Sequence, residues 1–231
     1  MKSPPRGLPA KSKKTAAAPR FDPKDFPGFS PQDLRDFKSY YVSQLKQHQT
    51  AEKRVGWNSA QGQSIRFEIF YGLGPLQGAK ILDVGCGLGA FWAYLRGRGV
   101  TPRYTGVDLF PNVIREARRN YPEPRFEVRN ILSRPFPARA FDYVFLSGVF
   151  NVKIRDNWEY MRALLVSSLR QARKAVAFNV LNAEAELKEA DRFAVEPKAL
   201  VSFARKLGAS KVHLFDHYHH LDLTLFLHKK K

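Results

Sequence analysis

Ten residues, Ile81-Leu82-Asp83-Val84-Gly85-Cys86-Gly87-Leu88-Gly89-Ala90, leave this chain few folds to choose from. The apolar run up to Val84 suits a buried strand, and Ala90–Arg96 suits a helix. The glycines between them let the backbone turn tightly and let a ligand approach it closely. A second apolar run, Arg103–Asp108, ends on a carboxylate 23 residues after Gly85. Strand, glycine loop, helix and strand make a parallel crossover, with the loop and Asp108 both at the carboxyl end of the sheet. An ionised carboxylate there has two acceptor oxygens, enough for both hydroxyls of a ribose.

The rest of the chain continues the alternation. Ser30 and Pro31 suit the cap and first turn of a helix running to about Gln49, with Leu34, Phe37, Tyr41 and Leu45 on one face. A second helix begins near Asn58 or Ser59 and stops at Gly72-Leu73-Gly74-Pro75. Beyond Asp108, strands are expected at Arg125–Arg129, Phe141–Leu146, Ala175–Phe178, Lys211–Phe215 and Leu221–Leu227. Helices are expected at Pro111–Asn120, Asn157–Arg173 and Pro197–Leu207. This pattern predicts an α/β fold with a largely parallel, Rossmann-like sheet and helices on both faces. The connection His217-Tyr218-His219-His220 is too short for a parallel crossover, so the last strand runs antiparallel to its neighbour.

Two ligands compete for the loop. Gly85, Gly87 and Ala90 also satisfy a dinucleotide fingerprint. Against that, Asp83 would repel a pyrophosphate but suits an amino-bearing ligand, Gly89 makes the spacing G-x-G-x-G, and the antiparallel end is foreign to dinucleotide domains.

With Tyr104-Thr105-Gly106-Val107-Asp108 and Phe141-Asp142-Tyr143-Val144-Phe145-Leu146-Ser147-Gly148, the loop resembles that of class I S-adenosylmethionine-dependent methyltransferases, from about Val55 to Leu227. Gln63-Ser64-Ile65-Arg66-Phe67, Ser147-Gly148-Val149-Phe150-Asn151 and Ala177-Phe178-Asn179-Val180-Leu181 are similar to bacterial members without an assigned substrate. The resemblance implies a seven-stranded sheet with the last strand antiparallel. It also implies S-adenosyl-L-methionine as cofactor and S-adenosyl-L-homocysteine as product. Gly85, Cys86, Gly87 and Gly89 would line the methionine part and Asp83 would meet its amino group. Asp108 would hold the ribose, with Leu109, Asn130 and Ile131 around the adenine. Asn130 stands where many members have an acid, and its amide oxygen can still accept the adenine amine. Ser147 and Gly148 would lie near the sulfonium, and Arg66 would reach the cofactor carboxylate.

The acceptor side is less defined. Ser147-Gly148-Val149-Phe150 lacks the two prolines that amino-group methyltransferases often carry there, which disfavours a planar exocyclic amine. Candidate catalytic residues are Asn151, His217 and His219. Asn151 could equally cap the next loop. The histidine cluster is open to three readings, a solvent turn, a base or acceptor contact, or metal ligands, and no metal-spaced carboxylate or cysteine completes the last. Cys86 reads as small filler of the loop rather than a nucleophile. Asn182–Pro197, with Glu184, Glu186, Glu189 and Asp191, reads as an acidic helical lid or a solvated connector.

Charge is the remaining feature. Lys plus Arg number 39 against 21 acids, a net +18 over 231 residues. Residues 1–30 hold +5 and Lys229–Lys231 +3, which leaves +10 for the body. Many of the body's arginines stand at expected helix ends, where cations complement the helix dipole, on the face away from the glycine loop. The expected organisation is therefore a disordered basic Pro-rich tail (1–30), N-terminal helices over the site (31–74), a cofactor-binding domain (75–228) and a basic C-terminal tail (229–231). No apolar run is long enough for a membrane helix, and a single cysteine excludes a disulfide framework. A cytoplasmic methyltransferase acting on a small or medium-sized O or N acceptor is the expectation. The alternatives are an RNA methyltransferase, with nucleic acid held by the basic tail, and a non-catalytic binder of the same cofactor. Acceptor identity and oligomeric state are not encoded legibly.

Overall fold

The structure is a computed structural model and describes residues 21–47, 54, 60–186 and 191–230. Helices α1 (Pro31–Gln47) and α2 (Ala60–Tyr71) precede β1 (Lys80–Val84), α3 (Ala90–Gly97), β2 (Arg103–Asp108), α4 (Pro111–Asn120) and β3 (Arg125–Val128). Then follow β4 (Phe141–Leu146), α5 (Asn157–Gln171), β5 (Ala172–Asn182), β6 (Ala194–Val195), α6 (Pro197–Arg205), β7 (Lys211–Phe215) and β8 (Asp222–His228). The sheet order is β3-β2-β1-β4-β5-β8-β7, with the two-residue β6 added beside β5. Neighbours from β3 to β5 pair in parallel, and β8 runs antiparallel to both β5 and β7, as the short histidine connection requires. Among the described residues no helix is long and apolar enough to cross a membrane.

Alternation along the strands splits the core into two layers. Leu82, Leu146, Phe178 and Leu225 face one layer, closed by α1, α5 and α6 through residues such as Phe37, Leu165 and Leu200. Ile81, Phe145, Ala177 and Phe226 face the other, closed by α2 and α3 through Phe70, Phe91 and Leu95. The reversal of connection at β1 and β4 opens a crevice at their carboxyl ends, the usual ligand position in such sheets.

Three expected boundaries move. Residues 1–20 of the expected tail lie outside the described residues, but its last ten are packed. Phe26 and Phe29 are buried, and Phe29 stands 4.9 Å from Tyr160 and 5.6 Å from Phe37, ring to ring. Gly28 (φ 85°) accepts from Asp156 N–H at 2.9 Å, so close that a Cβ would sit 2.2 Å from the Asp156 carbonyl oxygen. Aromatic burial thus overrides the prolines. The start of α1 is as expected: Asp33 N–H donates to Ser30 Oγ (3.1 Å) and Ser30 N–H to Asp33 Oδ2 (2.6 Å), a reciprocal cap.

At the other end, Lys229 is no tail residue. Its Nζ donates to the Leu169 and Ala172 carbonyls (2.9 and 3.1 Å), completing the C-terminus of α5. Helix α5 passes directly into β5, which is eleven residues long rather than the four expected. In the expected acidic lid, residues 187–190 lie outside the described residues. The described remainder forms a turn and β6 rather than helix.

Candidate functional site

One cavity occupies the crevice. Its floor is the loop from Asp83 to Leu88, and its walls come from Val107–Phe110, Arg129–Ile131 and Ser147–Val149. Gly85, Gly87 and Gly89 all take positive φ (72°, 54° and 89°), which a side chain would strain. The loop is pinned to β2, because the N–H groups of Gly85 and Cys86 both donate to the Val107 carbonyl (2.8 and 3.0 Å). A Cβ on Gly85 would meet Val149 Cγ2 at 2.8 Å. The loop therefore forms a cradle that a side chain at Gly85 would crowd.

Asp108 ends β2 in that cavity. Its Oδ2 accepts from Gly87 N–H (3.1 Å) and its Oδ1 from Phe110 N–H (3.0 Å), which aims the carboxylate and ties it to the loop. Burial raises its pKa, and the backbone donors oppose that rise. Asp83 is buried and accepts from the Tyr104 hydroxyl. Burial pushes its pKa up to about 7; the Tyr104 hydrogen bond lowers it and the nearby Asp108 charge raises it. A cation entering the cavity would reverse the desolvation cost and hold Asp83 ionised.

Cys86 lines the cavity, but its thiol is buried, pressed close to Gly106 and pushed well above its ordinary pKa by desolvation. That is packing, not nucleophile activation. Leu109 and Ile131 line the wall beside Asp108. Asn130 lines it too: its amide oxygen accepts from Leu132 N–H (2.9 Å) and its amide nitrogen donates to the Asp25 carbonyl (3.0 Å), which docks the N-terminal segment. One lone pair of that oxygen is left for a ligand.

At the end of β4, Ser147, Gly148 and Asn151 also line the cavity. Gly148 N–H donates to Asn179 Oδ1 (2.7 Å). Ser147 Oγ and Asn179 Nδ2 are buried without a hydrogen-bond partner among the described residues. Leaving such groups unpaired is costly, and a bound polar ligand is one way to repay it.

Four expected site residues are not brought to the cavity. Gly89 stands at the start of α3, and a Cβ on it would meet Phe126 and Tyr121 (2.9 Å each) rather than the cavity. Arg66 pairs with Asp222 (Nη2 to Oδ2, 2.5 Å) and donates to the Gly62 carbonyl, so it braces α2 against β8. His219 joins the same carboxylate (Nδ1 to Oδ2, 2.8 Å). His217 is 96% exposed, beside Asp216. Helix α2 instead presents Gln63 and Phe67, one turn apart, to the cavity. The roof comes from α1, one of the N-terminal helices expected over the site, and from its leader: Phe26, Phe37, Tyr40, Tyr41 and Leu45, none of them singled out as site residues in the sequence. The i, i+4 spacing of Phe37, Tyr41 and Leu45 was its legible signal. Arg54, Arg129 and Arg192 also line the cavity.

Comparison with known proteins agrees with this geometry. Residues 81–172 match a family described as a methyltransferase domain. The chain is 30% identical to a Mycobacterium tuberculosis protein, itself provisionally named a methyltransferase, over 65% of this chain and 93% of that one. It is 31% identical to Escherichia coli trans-aconitate 2-methyltransferase over 36% of this chain, spanning 42% of that enzyme's length. Among solved structures, magnesium protoporphyrin IX methyltransferase of Synechocystis with bound S-adenosylmethionine shares the fold (TM-score 0.59, 14% identity, 86% of this chain and 96% of that one). So does Haemonchus contortus phosphoethanolamine N-methyltransferase 1 (TM-score 0.65, 12% identity, 87% and 50%).

Proposed function

We propose that this chain, which belongs to the class I S-adenosylmethionine-dependent methyltransferase family, methylates an oxygen or nitrogen of a small or medium-sized acceptor. It is a methyltransferase whose methyl donor is S-adenosyl-L-methionine. When bound, that donor supplies a methyl group on a positively charged sulfur and leaves as S-adenosyl-L-homocysteine.

The residues present fit the donor. A glycine cradle that a Cβ would fill, with Asp108 at its edge and Asp83 beneath it, suits a ligand carrying a ribose and an ammonium. In this reading Gly85 and Gly87 line the methionine part, Gly89 turns the chain into α3, and Asp83 faces its amino group. Asp108 accepts from the ribose hydroxyls, and Leu109, Asn130 and Ile131 bound the adenine. Gln63 takes the place expected of Arg66 at the carboxylate, because it is the polar side chain of α2 at the cavity. Ser147 and Gly148 hold the end where the acceptor enters. Asn151 is the one expected catalytic candidate at the cavity, and it orients the acceptor. Positioning against the donor, without a dedicated base, suffices for much of such chemistry.

The observation that carries a small acceptor is the roof. Phe26, Phe37, Tyr40 and Tyr41 close the cavity over the glycine loop, which suits a compact acceptor better than a folded RNA. The basic groups of Arg173 and Lys229 support the same reading. The Arg173 guanidinium donates to the Arg139 carbonyl and Lys229 caps α5, both at the opposite end of the strands. A buried, single cysteine suits a reducing, cytoplasmic setting. The test is label transfer from methyl-labelled S-adenosylmethionine into separated small-molecule, RNA and protein pools. Label in the small-molecule pool is expected, and label confined to RNA would overturn the reading. Calorimetry with S-adenosylhomocysteine and NAD checks the ligand; binding of NAD alone would overturn the donor assignment.

A further inference from the structure

The end of the sheet away from the cavity carries cations that the fold holds side by side. Strands β4, β5 and β7 begin there, and β8 ends there. Arg139 N–H donates to the Arg170 carbonyl (2.9 Å), and Arg173 Nε donates to the Arg139 carbonyl (2.6 Å). Lys229 N–H donates to the Lys174 carbonyl (2.8 Å). His228 is paired with Lys211 of β7 on one side and Ala175 of β5 on the other, which puts Lys211 two strand spacings, about 10 Å, from β5. Arg139, Arg170, Arg173, Lys211 and Lys230 are all exposed. Among the described residues none of these five forms an ion pair with a carboxylate; their neighbour Lys174 does, with Asp142 at 3.7 Å.

The crowding leaves marks on the structure. Burial lowers the pKa of Lys229, and the Arg139 charge lowers it further. Arg139 is also the one non-glycine residue with a left-handed backbone (φ 57°) among those described. Glycine adopts that conformation more easily, yet an arginine stands there. Backbone strain kept at a charged surface position points to a ligand. Helix capping does not account for the five cations, because the Lys229 ammonium already takes the carbonyls at the end of α5.

A polyanion would relieve the repulsion, and exposed guanidinium groups match phosphate. The form of the patch narrows the choice. Its cations come from strand ends, a turn and a helix C-terminus, so no helix or ribbon projects from it to enter the major groove of DNA. Among the described Phe, Trp and Tyr residues Trp158 is the exposed one, and it lies at the other end of α5. The patch thus offers no ring for stacking unpaired bases and no apolar anchor for a membrane. Backbone contact across the shallow minor groove of an A-form duplex needs neither.

We infer that this face docks the phosphate backbone of double-stranded RNA through Arg139, Arg170, Arg173, Lys211 and Lys230. The six residues of β4 separate it from the cavity by about 20 Å. The duplex is therefore a platform that holds the enzyme and not its methyl acceptor, and the inference stands apart from the donor and acceptor assignments.

Fluorescence anisotropy of the full chain with a short labelled RNA duplex, over a salt series, tests it. Binding should weaken steeply with salt and be several-fold tighter than for a DNA duplex of equal length. Arg139→Gly alone should weaken it several-fold with no fall in the denaturation midpoint, because glycine suits the left-handed backbone. The triple variant Arg139→Gly/Arg170→Gln/Lys211→Gln should lose tenfold or more at low salt, and its salt slope should fall by about 2–3, near 0.9 for each phosphate contact removed. Its S-adenosylhomocysteine affinity should stay within twofold, as for a face remote from the cavity. Lys11→Gln/Lys13→Gln/Lys14→Gln, in the basic segment outside the described residues, should lose less than the triple patch variant. Failure of the RNA duplex to bind, with or without capture by phosphatidylglycerol vesicles, overturns the inference. So does equal affinity for DNA, a patch variant that binds RNA like the unchanged chain, or a larger loss in the Lys11–Lys14 variant.

Discussion

Asp83 makes donor binding depend on pH in a direction the structure dictates. Before a ligand binds, this carboxyl is half-protonated near neutrality, because burial pushes its pKa up to about 7 against the opposing Tyr104 hydrogen bond. A ligand ammonium beside it favours the ionised form, so binding below that pKa must first remove a proton. Below pH 7 affinity should therefore rise with pH, with a limiting slope of one decade per unit, and it should level off above. Each unit corresponds to about 1.4 kcal/mol. At pH 6 the carboxyl is mostly protonated, and affinity for S-adenosylhomocysteine should be roughly tenfold below its plateau.

Calorimetry at pH 6 in two buffers of different ionisation enthalpy measures the protons released. Close to one proton per site is expected at pH 6 and much less at pH 7.5. Tyr104→Phe removes a hydrogen bond that holds the pKa down, so the break should move to higher pH. Asp83→Asn should abolish both the proton release and the slope. Equal affinity at pH 6 and 7.5 with no buffer dependence would refute the argument. So would a slope that survives in Asp83→Asn, since another group would then be titrating.

Asp108→Ala should weaken S-adenosylhomocysteine binding by about 1.5–3 kcal/mol, the range for hydrogen bonds to a charged group; calorimetry showing no loss would remove the ribose contact. Phe29→Ala should lower unfolding stability by about 3–5 kcal/mol in a denaturant titration, since the ring is buried between Phe37 and Tyr160. A change under about 0.5 kcal/mol, as for an ordinary surface site, would mean that the leader does not pack. Asp222→Ala removes one partner from a buried ion pair and should cost about 3–5 kcal/mol of stability. At a temperature where the variant is folded, its S-adenosylhomocysteine affinity should stay within twofold, and a large loss would return Arg66 to the donor site.

What the sequence made legible is what backbone geometry demands of particular residue types. Positive φ at Gly85, Gly87 and Gly89 requires glycine, and the carboxylate of Asp108 is bonded to that loop, so spacing alone found both. The Ser30–Asp33 cap and the antiparallel β8 were local decisions too, set by a turn or a short connection. Legibility failed where a distant partner decides. Helix α2 has apolar residues at 65, 67, 69 and 70, around most of its circumference, so no stripe says which side faces the cavity. Gln63 rather than Arg66 lines the cavity, and Asp222, 156 positions away, pairs with the arginine at β8. Likewise Arg192 looked like one charge in an acidic connector until its bridge to Val152 placed it at the cavity. The glycine loop and Asp108 belong to one contiguous crossover, β1 to β2, and can be read from spacing. The rest of the cavity is assembled from α1, α2, the segments after β3 and β4 and the strand-like stretch at Arg192, and only packing brings those together. The parts of the cavity built from distant segments are thus the parts a single sequence encodes least locally.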